Sequence, residues 1–140
     1  MPSLESLSVS NVGERQLNTI SQVASLTSLD YRGSAPDFKP FLKLTNLTRL
    51  SIFDTQFTSL EGIEALSQLN YLLVFCAPDI DLTPLAQLSK LTTLDIVSQQ
   101  LEDYSAIFLI PNLSELFCKA PQKEAIEATG ETVNFKISVL

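Results

Sequence analysis

Leucines and other apolar residues recur along this chain at an almost constant interval. The pattern L-x-x-L-x-h, in which h is apolar or aromatic, begins at Leu4, Leu26, Leu47, Leu69, Leu91 and Leu113, which gives steps of 22, 21, 22, 22 and 22 residues. A repeat of that length is typical of a solenoid, in which similar structural units stack on one another. The pattern therefore predicts six repeats over residues 4–120.

Each repeat carries two kinds of periodicity when its residues are numbered from the first leucine. Positions 4 and 6 are apolar between mostly polar neighbours, and this alternation predicts a short strand at positions 3–7. Apolar residues follow at positions 14, 17 and 20, a spacing typical of one turn or two of 3₁₀ or α-helix. In the second repeat this triplet comes one residue early, so the missing residue lies between Tyr31 and Phe38.

The two ends of the array differ. Residues 121–140 predict a cap: a helix that stops at Gly130, then a strand in which Val133, Phe135, Ile137 and Val139 alternate with polar residues. Leu4 already belongs to the first repeat, so nothing comparable covers the N-terminal end. A partner, further repeats or the polar serines of the first repeat could each cover the core at that end. We favour further repeats, so that this end is an edge within a longer array.

The fourth repeat, L-N-Y-L-L-V-F-C-A-P-D-I-D-L-T-P-L-A-Q-L-S-K, resembles the leucine-rich repeat family. Its D-I-D-L-T-P-L-A-Q-L run is similar to the 22-residue subclass found in bacterial internalins and in regulatory subunits of protein phosphatases. The resemblance implies a single α/β domain over residues 1–140. It would be a right-handed solenoid with a parallel sheet on its concave face, short 3₁₀ or α returns on its convex face, and a helix-plus-strand cap.

One position departs from the family pattern. Leucine-rich repeats usually carry Asn or Cys at position 9, where the side chain bonds the backbone of the neighbouring turn. Here that position holds Val12, Thr55, Ala77, Gln99 and Pro121. We therefore expect the polar ladder to be absent or replaced, and the solenoid to be less regular just after each strand.

Composition narrows the possible partners and compartments. A chain of 140 residues with 45% hydrophobic content is long enough for one buried core. It has no apolar run near ~18 residues and no signal-like start, so we expect no membrane partner. A net charge of −7 argues against nucleic acid as a partner and would suit a basic protein partner.

Cys76 and Cys118 fall two repeats apart, which is too far for a disulfide. We therefore expect free thiols and a cytoplasmic protein.

Residues suited to catalysis are scarce. The chain contains no histidine, so neither its serines nor its cysteines have the usual general base. Its four glycines form no phosphate-binding cluster, and its paired carboxylates lack calcium-loop spacing. We expect no catalytic, cofactor or metal site and no enzyme activity.

The informative positions are 3, 5 and 7, which should face outward on the concave side because positions 4 and 6 face the core. They are polar in the first two repeats and become aromatic and apolar in the later ones. A row of Phe53, Phe75 and Val97 is expected across the sheet, with Leu73 exposed beside it. The predicted partner-binding residues are Arg49, Phe53, Tyr71, Leu73, Phe75, Asp95, Val97, Glu115, Phe117 and Lys119.

An exposed apolar cluster rimmed by charges is typical of a protein-binding hot spot. We therefore expect a non-catalytic protein-interaction module, such as a cytosolic inhibitor of the bacterial immunity type or an adaptor. The alternative is self-association, through this patch or through the N-terminal edge. The C-terminal tail could also fold over the patch.

The size of the sheet limits the expected interface. Strand spacings of ~4.8 Å and ~3.3 Å per residue give the face only about 450–500 Å², against about 800 Å² per partner in a standard interface. A tight partner should therefore also touch the rim at position 8, which holds Asp54, Cys76, Ser98 and Ala120.

Overall fold

The computed structural model describes residues 4–33, 35, 37–97 and 101–140, without the side chains of Asp54, Thr55, Gln56 and Val97. One parallel sheet dominates these residues, and its strands follow one another in chain order. The strands are Ser6–Val12 (β1), Ser28–Gly33 (β2), Arg49–Ser59 (β3), Tyr71–Asp81 (β4), Thr93–Val97 (β5), Glu115–Cys118 (β6) and Lys136–Val139 (β7). The first six begin at position 3 of their repeats, so the predicted strand phase is confirmed.

Short helical segments return the chain from one strand to the next, as predicted. The first is an α-helix, Glu14–Ile20 (α1), and four 3₁₀ segments follow at Lys39–Lys43, Ile63–Ala65, Thr83–Gln87 and Ser105–Leu109. The apolar triplets of these returns face the core, and Phe41, Ile63 and Leu85 are fully buried. The fold is thus the predicted leucine-rich repeat solenoid.

Polar side chains at position 13, or one residue earlier in the shortened second repeat, cap most of the returns. Asp37, Asp81 and Asp103 each accept a hydrogen bond from the backbone N–H two residues later, at 2.8–2.9 Å. Ser59 does the same at 3.1 Å. Side-chain hydrogen bonds with Thr83 and Ser105, together with these backbone bonds, lower the pKa of Asp81 and of Asp103. The side chains therefore satisfy backbone donors at the start of each return.

The core is a stack of leucines with one aromatic cluster. Leucines at positions 1 and 4 are almost completely buried from the second repeat to the sixth. Between the second and third repeats, Tyr31, Phe38, Phe41 and Phe57 pack ring against ring with centroids 5.2–6.4 Å apart. Phe57 is 2% exposed and was not anticipated as a core residue. These aromatic rings lie in the core beside the shortened second repeat.

A ladder of hydroxyl groups joins successive repeats at position 2. Thr27, Thr48, Thr92 and Ser114 each donate a hydrogen bond to a carbonyl 21 or 22 residues earlier, at 2.9–3.2 Å. The backbone N–H groups of the same residues bond the same carbonyls. A hydroxyl ladder therefore precedes β2, β3, β5 and β6, while the Thr55 side chain and Gln99 at position 9 lie outside the described residues.

The strand pairing shows the expected irregularity just after the positions that pair in regular register. The register between β1 and β2 shifts after Val9, and that between β3 and β4 shifts after Ser51. Where β1 and β2 pair again, a Cβ on Gly33 would come within 2.2 Å of the Val12 carbonyl oxygen. Only glycine allows this close approach of two backbones.

The C-terminal cap follows the prediction in part. Helix Ala120–Ala128 (α2) is followed by Gly130 with φ +76°, and β7 pairs with β6 in the register of the repeats. The strand is shorter than expected because it begins at Lys136, and Val139 is exposed instead of buried. The cap therefore contributes a seventh strand to the sheet.

Both cysteines are buried thiols with no disulfide between them. Cys76 pairs with Phe57 across β3 and β4 and is fully buried, so placing it on the rim was wrong. Burial raises the pKa of Cys76 to about 12, which makes its thiolate rare at neutral pH. Of the other rim residues, the side chain of Asp54 and all of Ser98 lie outside the described residues.

The hydroxyl ladder predicts a measurable loss of stability when one hydroxyl is removed. Thr48→Val keeps the shape of the side chain but leaves the Thr27 carbonyl with one donor fewer. We expect the free energy of unfolding in urea to fall by about 1 kcal/mol. Thr58→Val, on the exposed part of β3, is the matched control and should change it by less than about 0.5 kcal/mol. Equal values for the two variants would show that the ladder contributes nothing.

Candidate protein-binding face

The outward side chains of the sheet form rows that cross the strands. Position 3 contributes Ser6, Ser28, Arg49, Tyr71, Thr93, Glu115 and Lys136, and position 5 contributes Ser8, Asp30, Ser51, Leu73, Asp95, Phe117 and Ser138. In the row at position 7, Arg32 pairs with Phe53 and Phe75 pairs with Val97. We call this surface the concave face.

The third row is broken between β3 and β4, so the continuous row predicted for Phe53, Phe75 and Val97 was wrong. Four residues separate Ser51 from Gln56 on β3, where Val74 alone separates Leu73 from Phe75 on β4. The extra residues form a wide irregularity in β3, and Phe75 therefore pairs with Gln56. The rings of Phe53 and Phe75 still meet edge to face, with centroids 6.1 Å apart. The side chain of Val97 lies outside what the structure describes.

Two arginines cover aromatic rings on this face. The Arg32 guanidinium carbon lies 3.9 Å from the centroid of Phe53, and that of Arg49 lies 4.3 Å from the centroid of Tyr71. Both arginines are otherwise exposed. A guanidinium over a ring is stabilised by the negative face of the ring, by about 0.5–1 kcal/mol at exposed sites. The rings are thus partly shielded from water without being buried in the core.

Leu73 and Asp95 are not exposed, which corrects the prediction for both residues. They point to the concave side, but Leu73 is only 9% exposed and Asp95 only 8%. Neither belongs to the hydrophobic core cluster. On the same face, Phe117, Tyr71 and Phe75 are half-buried. Leu73 and Asp95 therefore form the floor of the face, and the larger aromatic rings form its accessible part.

The floor of the face contains carboxylate oxygens that lack hydrogen bonds. Oδ1 of Asp95 and Oδ1 of Asp30 are both buried, and neither has a hydrogen-bond partner among the described residues. Burial raises the pKa of Asp95. Burial also raises the pKa of Tyr71, and the charges of Asp95 and Asp30 raise it further, while Arg49 and a hydrogen bond with Ser51 lower it. Burial is therefore the main cause of the raised pKa of Tyr71.

Two of the predicted site residues lie at the C-terminal side and have other contacts. Glu115 accepts a hydrogen bond from the Ser138 hydroxyl at 2.6 Å, and its carboxylate lies 3.7 Å from Nζ of Lys136. Lys119 follows the end of β6, and its N–H donates to Oε1 of Gln122 at 3.0 Å, at the start of α2. The residues that the structure brings together are therefore those of β3, β4, β5 and β6, with Lys119 to one side.

Other described surfaces have fewer features of a binding site. A shallow groove of about 560 Å³ runs along the open edge of β1, lined by Leu7, Val9, Val12 and Ile20 among others. Within the described residues there is no group of three or more His, Cys, Asp or Glu side chains that could hold a metal ion. No helix in the described parts of the chain is both long and apolar enough to cross a membrane.

Comparisons with known proteins agree with this architecture. An internalin of Listeria monocytogenes (InlF) superimposes with a TM-score of 0.71 at 24% identity, over 96% of this chain and 43% of its own. Internalin C2 of the same species superimposes with a TM-score of 0.61 at 26% identity, over 88% of this chain and 55% of its own. The chain thus spans about half the length of these internalins. No protein-family model and no curated protein matches the sequence.

These comparisons and the parallel sheet show the leucine-rich repeat fold that the sequence pattern predicted. Assignment to the 22-residue subclass stays a prediction. The partner-binding role of the concave face is likewise a prediction, because the similarity concerns the fold.

The buried carboxylate predicts that Asp95→Asn stabilises the protein at neutral pH. The pKa of Asp95 is raised in the folded state. Its ionised form therefore lowers the free energy of unfolding at any pH above that raised pKa. This destabilisation disappears below the pKa of an unfolded aspartate, about 3.9. The other charged groups of the three rows are Arg49, Glu115 and Lys136 at position 3, Asp30 at position 5 and Arg32 at position 7. We expect a gain on the order of 1 kcal/mol at pH 7 and almost none near pH 3.5.

Urea unfolding at both pH values measures this difference. Asp79→Asn, which removes an exposed carboxylate from β4, is the matched control and should change stability by less than about 0.5 kcal/mol at either pH. Destabilisation by Asp95→Asn at pH 7 would show that the carboxylate is already well accommodated.

Proposed function

We propose that this leucine-rich repeat solenoid is a non-catalytic protein-binding module that binds its partner through the concave face. The observation that carries the proposal is the half-buried aromatic group of Phe53, Tyr71, Phe75 and Phe117 on a sheet surface. The same positions hold serines in β1. The sheet does not require aromatic rings there, because its core is already formed by positions 4 and 6.

The composition of the face suits a protein partner. Aromatic residues and arginine are enriched in the energetically important centres of protein interfaces, and here both are held together by ring–ring and cation–π contacts. These contacts fix the side chains before a partner arrives, so little rotamer freedom is lost on binding. Leu73 and Asp95 lie beneath, where a partner would complete their removal from water.

The expected affinity depends on how much surface beyond the sheet takes part. The seventh strand widens the sheet to about 34 Å at ~4.8 Å per strand, which is still small for a tight complex. The partner should therefore also touch the rim beside β6, where Lys119 and Ala120 are exposed. The tail residues Val133 and Phe135 contact the core and the return near Phe108, so we propose that the face is open to a partner.

The biological setting is also a proposal. A net charge of −7 would suit an inhibitor of a basic protein, such as a cytoplasmic immunity-type protein, or an adaptor. The fold supports a protein-interaction module in general. The inhibitor role is supported only by charge.

Self-association is the second candidate, and one observation favours it. Leu4, Val139 and Leu140 are exposed at the two ends of the sheet, and the edge of β1 carries an apolar groove. A second copy could extend the sheet at either end. Sedimentation velocity from low to high concentration tests this candidate, because a monomer that persists over the whole range would exclude it.

The main proposal predicts that Phe75→Asp prevents capture of the partner. A charge in the middle of the aromatic group should weaken binding by at least about tenfold, since central aromatic anchors contribute about 2 kcal/mol or more. The immobilised wild type and the variant are incubated with extract of the source cells, and the captured protein is then purified and titrated against both.

Ser8→Asp is the matched control for this experiment. It places the same charge on the concave face but on exposed β1, away from the aromatic group. Circular dichroism checks that both variants are folded. Full-strength capture by folded Phe75→Asp would refute binding through the concave face.

A further inference from the structure

Asp95 stands out among the described charged residues because it is almost completely buried and its Oδ1 has no hydrogen-bond partner. Its neighbours in the row are Leu73 on β4 and Phe117 on β6, so an apolar residue lies on either side of the carboxylate. Its Oδ1 is removed from solvent without a hydrogen bond among the described residues. Buried carboxylates in folded proteins are normally paired or hydrogen-bonded, because desolvation without compensation is costly.

Three cations on or beside this face are already engaged elsewhere. Arg32 lies over Phe53 and Arg49 lies over Tyr71, while Lys136 pairs with Glu115. Neither arginine forms an ion pair with a carboxylate within the described part of the chain. The concave face therefore combines an unpaired carboxylate with aromatic rings, and nothing described in the chain itself neutralises the charge.

We infer that the protein partner presents a cationic side chain, arginine in preference to lysine, to Asp95 on the floor of the concave face. This inference rests on the proposed function and names the chemistry of the partner at that site. A guanidinium suits the position because it can donate to a carboxylate while its plane stacks on a ring. The protein's own arginines show that rings of this face accept a guanidinium at 3.9–4.3 Å.

Other cationic ligands fit less well. A metal ion needs several oxygen ligands together, and the other unpartnered carboxylate, Asp30, is three strands away, about 14 Å. A basic protein segment needs only one carboxylate per side chain. The net charge of −7 would also accelerate its approach. Asp30 could receive a second cationic group of the same partner.

The first test uses a small probe of defined charge. N-acetyl-arginine methylamide is titrated into methyl-labelled protein, and N-acetyl-citrulline methylamide, which has nearly the same shape without the charge, is the control. We expect the arginine amide to shift the Leu73 methyl resonances with a Kd on the order of 1 mM, and the citrulline amide to bind at least about tenfold more weakly.

Variants show whether Asp95 is responsible. Asp95→Asn should abolish the preference for arginine over citrulline, whereas Asp79→Asn, which removes an exposed charge from β4, should keep it. Equal shifts with both amides, or an arginine preference that survives Asp95→Asn, would overturn the inference.

The captured partner provides the second test and separates this inference from the proposed function. We expect Asp95→Asn to weaken binding of the partner at least about tenfold, and Asp79→Asn to leave it within about twofold. If Phe75→Asp prevents binding and Asp95→Asn does not weaken it, the concave face binds a partner without a cation at this site. The proposed function would then stand and the present inference would fail. If neither variant weakens binding, both are wrong.

Discussion

Parallel pairing of one short strand per repeat is the constraint on which the rest of this structure depends. From β1 to β6, position 3 pairs with position 3 and position 4 with position 4, so the leucines stack in the core and the alternate residues share the opposite face. The hydroxyl ladder at position 2 fixes the start of this pairing. Because the register is regular there, side chains from distant repeats meet on one surface.

The sequence predicted the start of every repeat strand, because a slip of one residue would exchange buried leucines for serines and charges. It could not predict where pairing ends. Position 9 lacks the usual Asn or Cys, and the register breaks after Ser51, where β3 takes in extra residues before Gln56. That irregularity places Phe57 in the core opposite Cys76 and interrupts the expected row at Phe53. Such a shift depends on packing between repeats, which periodicity does not report.

Exposure within the concave face was also only partly predictable. Alternation correctly assigned Leu73 and Asp95 to the outward side, but the size of their neighbours decides how much water reaches them. Tyr71 and Phe75 flank Leu73 on β4, Phe117 on β6 pairs with Asp95, and both Leu73 and Asp95 are under one-tenth exposed. The face therefore has a buried floor beneath an aromatic surface. A carboxylate on that floor lowers stability and, on our account, provides specificity for a cationic partner.

Site-specific photo-crosslinking tests the central claim most directly, because it reports which surface the partner touches. A benzophenone amino acid replaces Phe75 on the concave face or Leu109, which is exposed on a return segment. If the concave face binds the partner, irradiation should join the partner to the protein labelled at position 75 and leave the protein labelled at position 109 unmodified. Crosslinks formed at position 109 and absent at position 75 would contradict the account.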